Sequence, residues 1–163
     1  MKRLIAALIL IAPVSFIACT KGGTLKTING DQYRVTSDAS SKQMIPAIDT
    51  TSTGTFTGIY DEQTNILTFS ITWTDIWRTT SKDTISSINF YGPASATVNG
   101  PLVRSLSFIN TNNPGSANLG LAGLNGLTLN EKKDLLAGNW YFTINTKKYP
   151  AGIIRGQLTA AKQ

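Results

Sequence analysis

Trp140-Tyr141-Phe142-Thr143-Ile144-Asn145-Thr146, followed by Tyr149-Pro150-Ala151-Gly152-Ile153-Ile154-Arg155-Gly156-Gln157-Leu158, decides the fold. Trp140, Phe142 and Ile144 alternate with Tyr141, Thr143 and Asn145, the period of a strand with one face toward a core. Pro150-Ala151-Gly152 supplies turn chemistry, and Ile153 to Leu158 leaves as a second strand. Arg155 is the one charge in that second strand. As a structural residue its guanidinium ties neighbouring carbonyls or a carboxylate across the sheet; a ligand contact is the competing role.

Upstream of this hairpin the chain predicts one short helix. Thr128-Leu129-Asn130-Glu131 matches a capping box, in which each side chain satisfies the other residue's free amide. Leu135 and Leu136 give the helix an apolar side, and Gly138 stands where a C-terminal glycine belongs. Further back, Ile66 to Trp73 alternates cleanly, with Leu67, Phe69, Ile71 and Trp73 on one face and threonines and serine on most of the other. The aromatic face is expected in the core and the Thr-rich face in solvent. Thr53 to Tyr60 is its partner across the polar connection Asp61 to Asn65. Ile85 to Tyr91 and Leu102 to Ile109 predict two more strands, the second with no clear inward face. Asn110 to Gly126, rich in Asn and Gly, is expected as a loop.

These elements predict an all-β chain of about seven or eight antiparallel strands, a Greek-key-like two-sheet sandwich with one short helix. Trp73 and Trp140 are expected in the core. Trp77, in Asp75-Ile76-Trp77-Arg78-Thr79, is the candidate exposed aromatic, or else it fills the end of the sandwich.

The N-terminus carries a different message. Lys2 and Arg3 precede the apolar run Leu4 to Ile11, which Pro13 interrupts. The run falls short of the roughly 20 residues that span a bilayer, and it has the form of a cleaved export signal. It ends in Phe16-Ile17-Ala18-Cys19, and Cys19 is the only cysteine. This segment resembles a bacterial lipoprotein box, with Phe16 where an aliphatic residue is usual. Residues 1–18 are therefore read as the signal, 19–41 as a tether with an edge strand at Gln32 to Thr36, and 42–163 as the domain. The expected location is the cell envelope, lipid-anchored through Cys19. No acidic residue follows the cysteine to suggest retention at the inner membrane, which points to the outer one.

The 163 residues carry a formal net charge of +6, which falls to +4 with loss of Lys2 and Arg3. The basic residues are scattered and not interleaved with aromatics, which argues against nucleic acid. Histidine is absent. A hydrolase triad or a Cys-His pair lacks its imidazole base, and a zinc or copper site lacks its usual ligands. No calcium-loop spacing or phosphate loop is present. Asp61-Glu62 and Glu131 with Asp134 read as solvated charges. No cofactor is expected.

Taken in order, three blocks resemble the chordin-type (CHRD) family over about Lys42 to Leu158. They are Ile88-Asn89-Phe90-Tyr91-Gly92-Pro93-Ala94 with Gly100-Pro101-Leu102-Val103, the helix from Leu127 to Asn139, and the closing hairpin. The family's middle block usually carries two histidines where Asn89 and Tyr91 stand, and its closing histidine falls at Asn145. Glutamate is usual at the position of Ile153. The resemblance implies an extracellular interaction domain and names no ligand; with no histidine in the chain, the expected function is a non-catalytic binding or structural module with an unnamed protein or glycan partner. It also implies that Asn89, Tyr91 and Asn145 lie near one another, as a polar cluster in place of a metal site. Carbohydrate binding through Trp77 and Asn-rich loops is one alternative; a metal-binding or enzymatic Greek-key sandwich is the other, and the missing histidines count against it.

Overall fold

The computed structural model describes residues 30–76, 83–107, 116–120 and 126–163. Nine strands occur among them: β1 (Gln32–Ser40), β2 (Thr53–Asp61), β3 (Ile66–Thr74), β4 (Ile85–Tyr91), β5 (Leu102–Ser107), β6 (Ser116–Gly120), β7 (Tyr141–Thr146), β8 (Ile154–Gln157) and β9 (Thr159–Lys162). The one α-helix among the described residues, α1 (Leu129–Leu136), lies between β6 and β7. The all-β class is as the alternating sequence requires.

All nine strands belong to one antiparallel sheet in the order β5-β4-β7-β8-β1-β2-β3-β6, with β9 also against β1. The sheet curls until its inner face meets itself. Phe69 of β3 and Phe90 of β4 have four strands between them in the hydrogen-bonded order, yet their ring centroids are 5.3 Å apart. Phe56 of β2 similarly reaches Phe142 of β7 at 5.4 Å. Two layers are thus joined at one corner, where β1 and β8 meet through the single pair Ser40↔Arg155. Farther along, Thr159 to Lys162 pair with Thr36 to Tyr33 in the same register, so one stretch of chain serves both layers. Strands that switch layers are the usual means of turning such a corner.

The core follows from the alternation. Leu67, Phe69, Ile71 and Trp73 of β3 are buried, as are Phe56 and Tyr60 of β2, Ile88 and Phe90 of β4, and Trp140, Phe142 and Ile144 at β7. The helix is closed as the sequence demands. Glu131 N–H donates to Thr128 Oγ1 at 3.3 Å, and Thr128 N–H donates to Glu131 Oε2 at 2.8 Å. At the other end Gly138 has φ +74°, with Gly138 N–H on Leu135 O and Asn139 N–H on Asp134 O. That pair of bonds is a Schellman closure.

Three expectations need correction. The segment read as tether up to residue 41 contains β1, which lies inside the sheet with β2 on one side and β8 and β9 on the other; it is no edge strand. The expected loop from Asn110 to Gly126 contains β6, paired to β3 along Thr68 to Thr72. Residues 159–162, for which no element was expected, form β9.

Candidate functional site

Of the positions singled out by the sequence, Asn89, Tyr91, Asn145 and Arg155 fall on the outer face of the β5-β4-β7-β8 layer. On β4, Ile88 and Phe90 point inward, so Asn89 and Tyr91 point out. On β7, Phe142 and Ile144 take the core and leave Tyr141, Thr143 and Asn145 outside. Register then sets Tyr91 opposite Tyr141, Asn89 opposite Thr143 and Ser87 opposite Asn145. Arg155 and Gln157 of β8 stand opposite Thr143 and Tyr141.

A strand with one free face shows alternating burial, but every residue of β7 is buried. The outer face is roofed by the turn that leaves β4 at Gly92. Arg155 fastens this roof. Its Nη2 donates to Ser95 O and Val98 O, both at 2.8 Å, and its Nη1 to Asn99 Oδ1 at 3.2 Å. Its guanidinium carbon sits 3.7 Å from the Tyr141 ring centroid. Tyr141 in turn stacks on Tyr91 at 5.0 Å and 10°, and accepts from Gly100 N–H at 3.2 Å. Arg155 is 1% exposed. Burial lowers its pKa and the Tyr141 phenol opposes that shift; an arginine remains charged regardless. A buried cation is tolerable only with its donors satisfied, and carbonyl dipoles do this here.

The rest of the Arg-Gly-Gln-Leu run has equally local reasons. A Cβ on Gly156 would lie 2.4 Å from Ser37 Oγ, 2.7 Å from Phe142 Cε1 and 2.9 Å from Ala39 Cβ, so only glycine lets the two layers close. Gln157 Nε2 donates to Ala94 O at 2.8 Å and Gly138 O at 2.7 Å, tying the roof to the end of α1. Leu158 is fully buried in the core.

Asn89, Tyr91 and Asn145 share this face but not one hydrogen-bond network. Asn89 Nδ2 donates to Tyr91 Oη at 3.1 Å, and its Oδ1 accepts from Ser105 Oγ at 2.7 Å. Asn145 instead accepts from Thr143 Oγ1 at 2.5 Å and donates to Pro150 O at 2.6 Å. The expected single cluster is therefore two: a half-buried one on β4 and β5, and a buried one that braces the turn after β7. Direct contact fails because the register offsets Asn145 by two residues from Asn89. Cys19 and Trp77 lie outside the described residues. Among the described residues no three His, Cys, Asp or Glu side chains gather as a metal site.

One feature escaped the sequence reading. Among the described residues nothing covers the other layer's outer face, and it bears a cleft of about 360 Å³ lined by Asp38, Gln43, Thr53, Thr55, Thr72 and Thr74 among others. The signal was the Thr-rich alternation of β2 and β3, but finding the cleft needed β1, which supplies Asp38.

No curated protein matches the chain, and no solved structure does. A family model described as the CHRD domain matches residues 35–158, from the middle of β1 to the last residue of the closing motif. The chain belongs to the CHRD-domain family.

Proposed function

We propose that this CHRD-domain protein is a non-catalytic binding or structural module, held at the outer membrane of the cell envelope by a lipid on Cys19. The observation that carries the non-catalytic reading is the use made of its polar side chains. Asn145 and Arg155 are almost wholly buried, and each has its donors spent on backbone carbonyls or neighbouring side chains. Asn89 and Tyr91 bond each other. Groups engaged in this way brace a fold; they present no nucleophile, base or metal ligand to a substrate.

The anchoring rests on the leader and on Ala18-Cys19. Two or three acyl chains, at about 0.8 kcal/mol per buried methylene, hold a protein on a membrane stably. A clickable fatty acid should label the parent protein in cells and leave Cys19→Ala unlabelled, with the label recovered in the outer-membrane fraction. Stoichiometric zinc or copper in the purified protein would overturn the non-catalytic reading.

A further inference from the structure

The two layers treat their outer faces differently. One is roofed, as described. Among the described residues nothing covers the other, and beyond the row of Arg34 and Ile59 it repeats one kind of side chain in register over three rows. Thr159, Thr36, Thr57 and Ser70 form a row across β9, β1, β2 and β3. Asp38, Thr55 and Thr72 form the next, and Ser40, Thr53 and Thr74 the third. Rows are about 7 Å apart and neighbours within a row about 5 Å apart, from strand geometry. The hydroxyls are already oriented by one another: Thr53 and Thr74 Oγ1 are 2.7 Å apart, and Thr55 Oγ1 donates to Asp38 Oδ1 at 3.4 Å. The second and third rows line the 360 Å³ cleft, whose side is completed by Gln43 from the turn after β1.

From this we infer that the cleft binds an uncharged polysaccharide strand. A hydroxyl both donates and accepts, so a two-dimensional set of them matches a ligand that is itself a row of hydroxyls. Among the described residues lining the cleft, Asp38 is the only ionisable one. Its carboxylate accepts from sugar hydroxyls and repels uronates and sulfated chains. A protein partner is the poorer fit, since protein interfaces centre on exposed aromatic, Met or Arg side chains. Among the described residues the exposed large apolar ones, Val98, Leu102 and Leu129, all lie elsewhere.

The assignment deepens, and rests on, the binding-module reading above, and the anchor would favour it. The tether joins β1 at Gln32, while Asp38 and Ser40 lie at the far end of the strand, about 25 Å away. The cleft then lies at the end of β1 opposite the one nearer the anchor.

The full chain in detergent should be slowed in native gels cast with hydroxyethyl cellulose or dextran, and at least tenfold less by carboxymethyl cellulose. Thr55→Val with Thr72→Val keeps shape and strand preference but removes two hydroxyls; apparent affinity should fall about tenfold or more. Thr55→Ser with Thr72→Ser should keep binding, and Ser107→Ala on the other layer should not alter it. Asp38→Asn should erase the discrimination against carboxymethyl cellulose. No retardation by either neutral polymer, equal retardation by the anionic one, or undiminished binding by the double valine variant would each overturn the assignment. These readouts do not involve the lipid. Loss of fatty-acid labelling would therefore sink the anchoring alone, and loss of polymer binding the ligand class alone.

Discussion

Arg155 lies with its guanidinium 3.7 Å from the centre of the Tyr141 ring, and the same group holds the carbonyls of Ser95 and Val98. One side chain thus fixes a strand, a neighbouring strand's ring and the segment that covers both. Arg155→Met should destabilise the fold by on the order of 3 kcal/mol, because two carbonyls and Asn99 lose a charged donor in a buried setting. Arg155→Lys should recover little, since an ammonium neither forks to several acceptors nor stacks on a ring in the same way. Urea unfolding monitored by tryptophan fluorescence gives both values; a parental midpoint for the lysine variant would refute this account.

Asn145 and Asn89 differ in burial, and their variants should differ with them. Asn145→Ala strands the buried Thr143 hydroxyl and takes away the donor to the Pro150 carbonyl, and should cost about 1–3 kcal/mol. Asn89→Ala opens a half-buried bond to water that can replace it, and should cost less than about 1 kcal/mol. Thermal unfolding of the two variants side by side would show equal losses if a shared network joined them.

Gly156→Ala should be among the most damaging single-atom additions. Its Cβ would meet Ser37, Phe142 and Ala39 closer than van der Waals contact. Two of these atoms belong to β1, so relief requires the layers to part. Overpacking of this kind costs about 1–3 kcal/mol. Gly156→Ala combined with Ser37→Gly should regain part of the loss in calorimetry.

The acid side of the stability curve should depend on Asp61. Gln32 Nε2 donates to its Oδ2 at 2.9 Å, and the amides of Thr64 and Gln63 donate to its Oδ1 at 3.0 and 2.8 Å. The Gln32 bond first, and then the Thr64 amide, hold the carboxyl below its ordinary value. A pKa lower in the folded state than the unfolded value of about 4 means that the contribution is complete above that pH and fades as pH falls below it. Asp61→Asn should therefore be less stable at neutral pH and converge with the parent in acid. Chemical unfolding at a series of pH values would reveal parallel curves if the carboxylate were idle.

Much of this architecture is readable where large side chains alternate. β3 and β4 follow their predicted spans closely, and the Thr128–Glu131 capping box forms as the sequence predicts. β1 was harder to read for a physical reason. Its inward positions include Ser37 and Ala39, small because Gly156 crosses directly against them, and small residues give no hydrophobic period. β6 and β9 carry Ala, Asn and Gly or Thr-Ala-Ala-Lys, equally faint signals. The burial of both faces of β7 was illegible because it depends on residues 93–100, whose sequence reads as an ordinary turn. Tyr141, Thr143 and Asn145 look like solvent-facing partners until that cover is in place. The open cleft stayed hidden for the same reason as β1, since Asp38 enters it from that strand.

The corner at Ser40 and Arg155 also orders events in time. β1 is made early in synthesis, yet its neighbour on one side is the stretch 154–162, made more than a hundred residues later. Until that stretch has left the ribosome, β1 and β7 expose facing edges whose amides and carbonyls have no strand to join. Such distant pairing slows folding, and a nascent chain halted before Ile154 should stay open, protease-sensitive and competent for threading through a narrow channel.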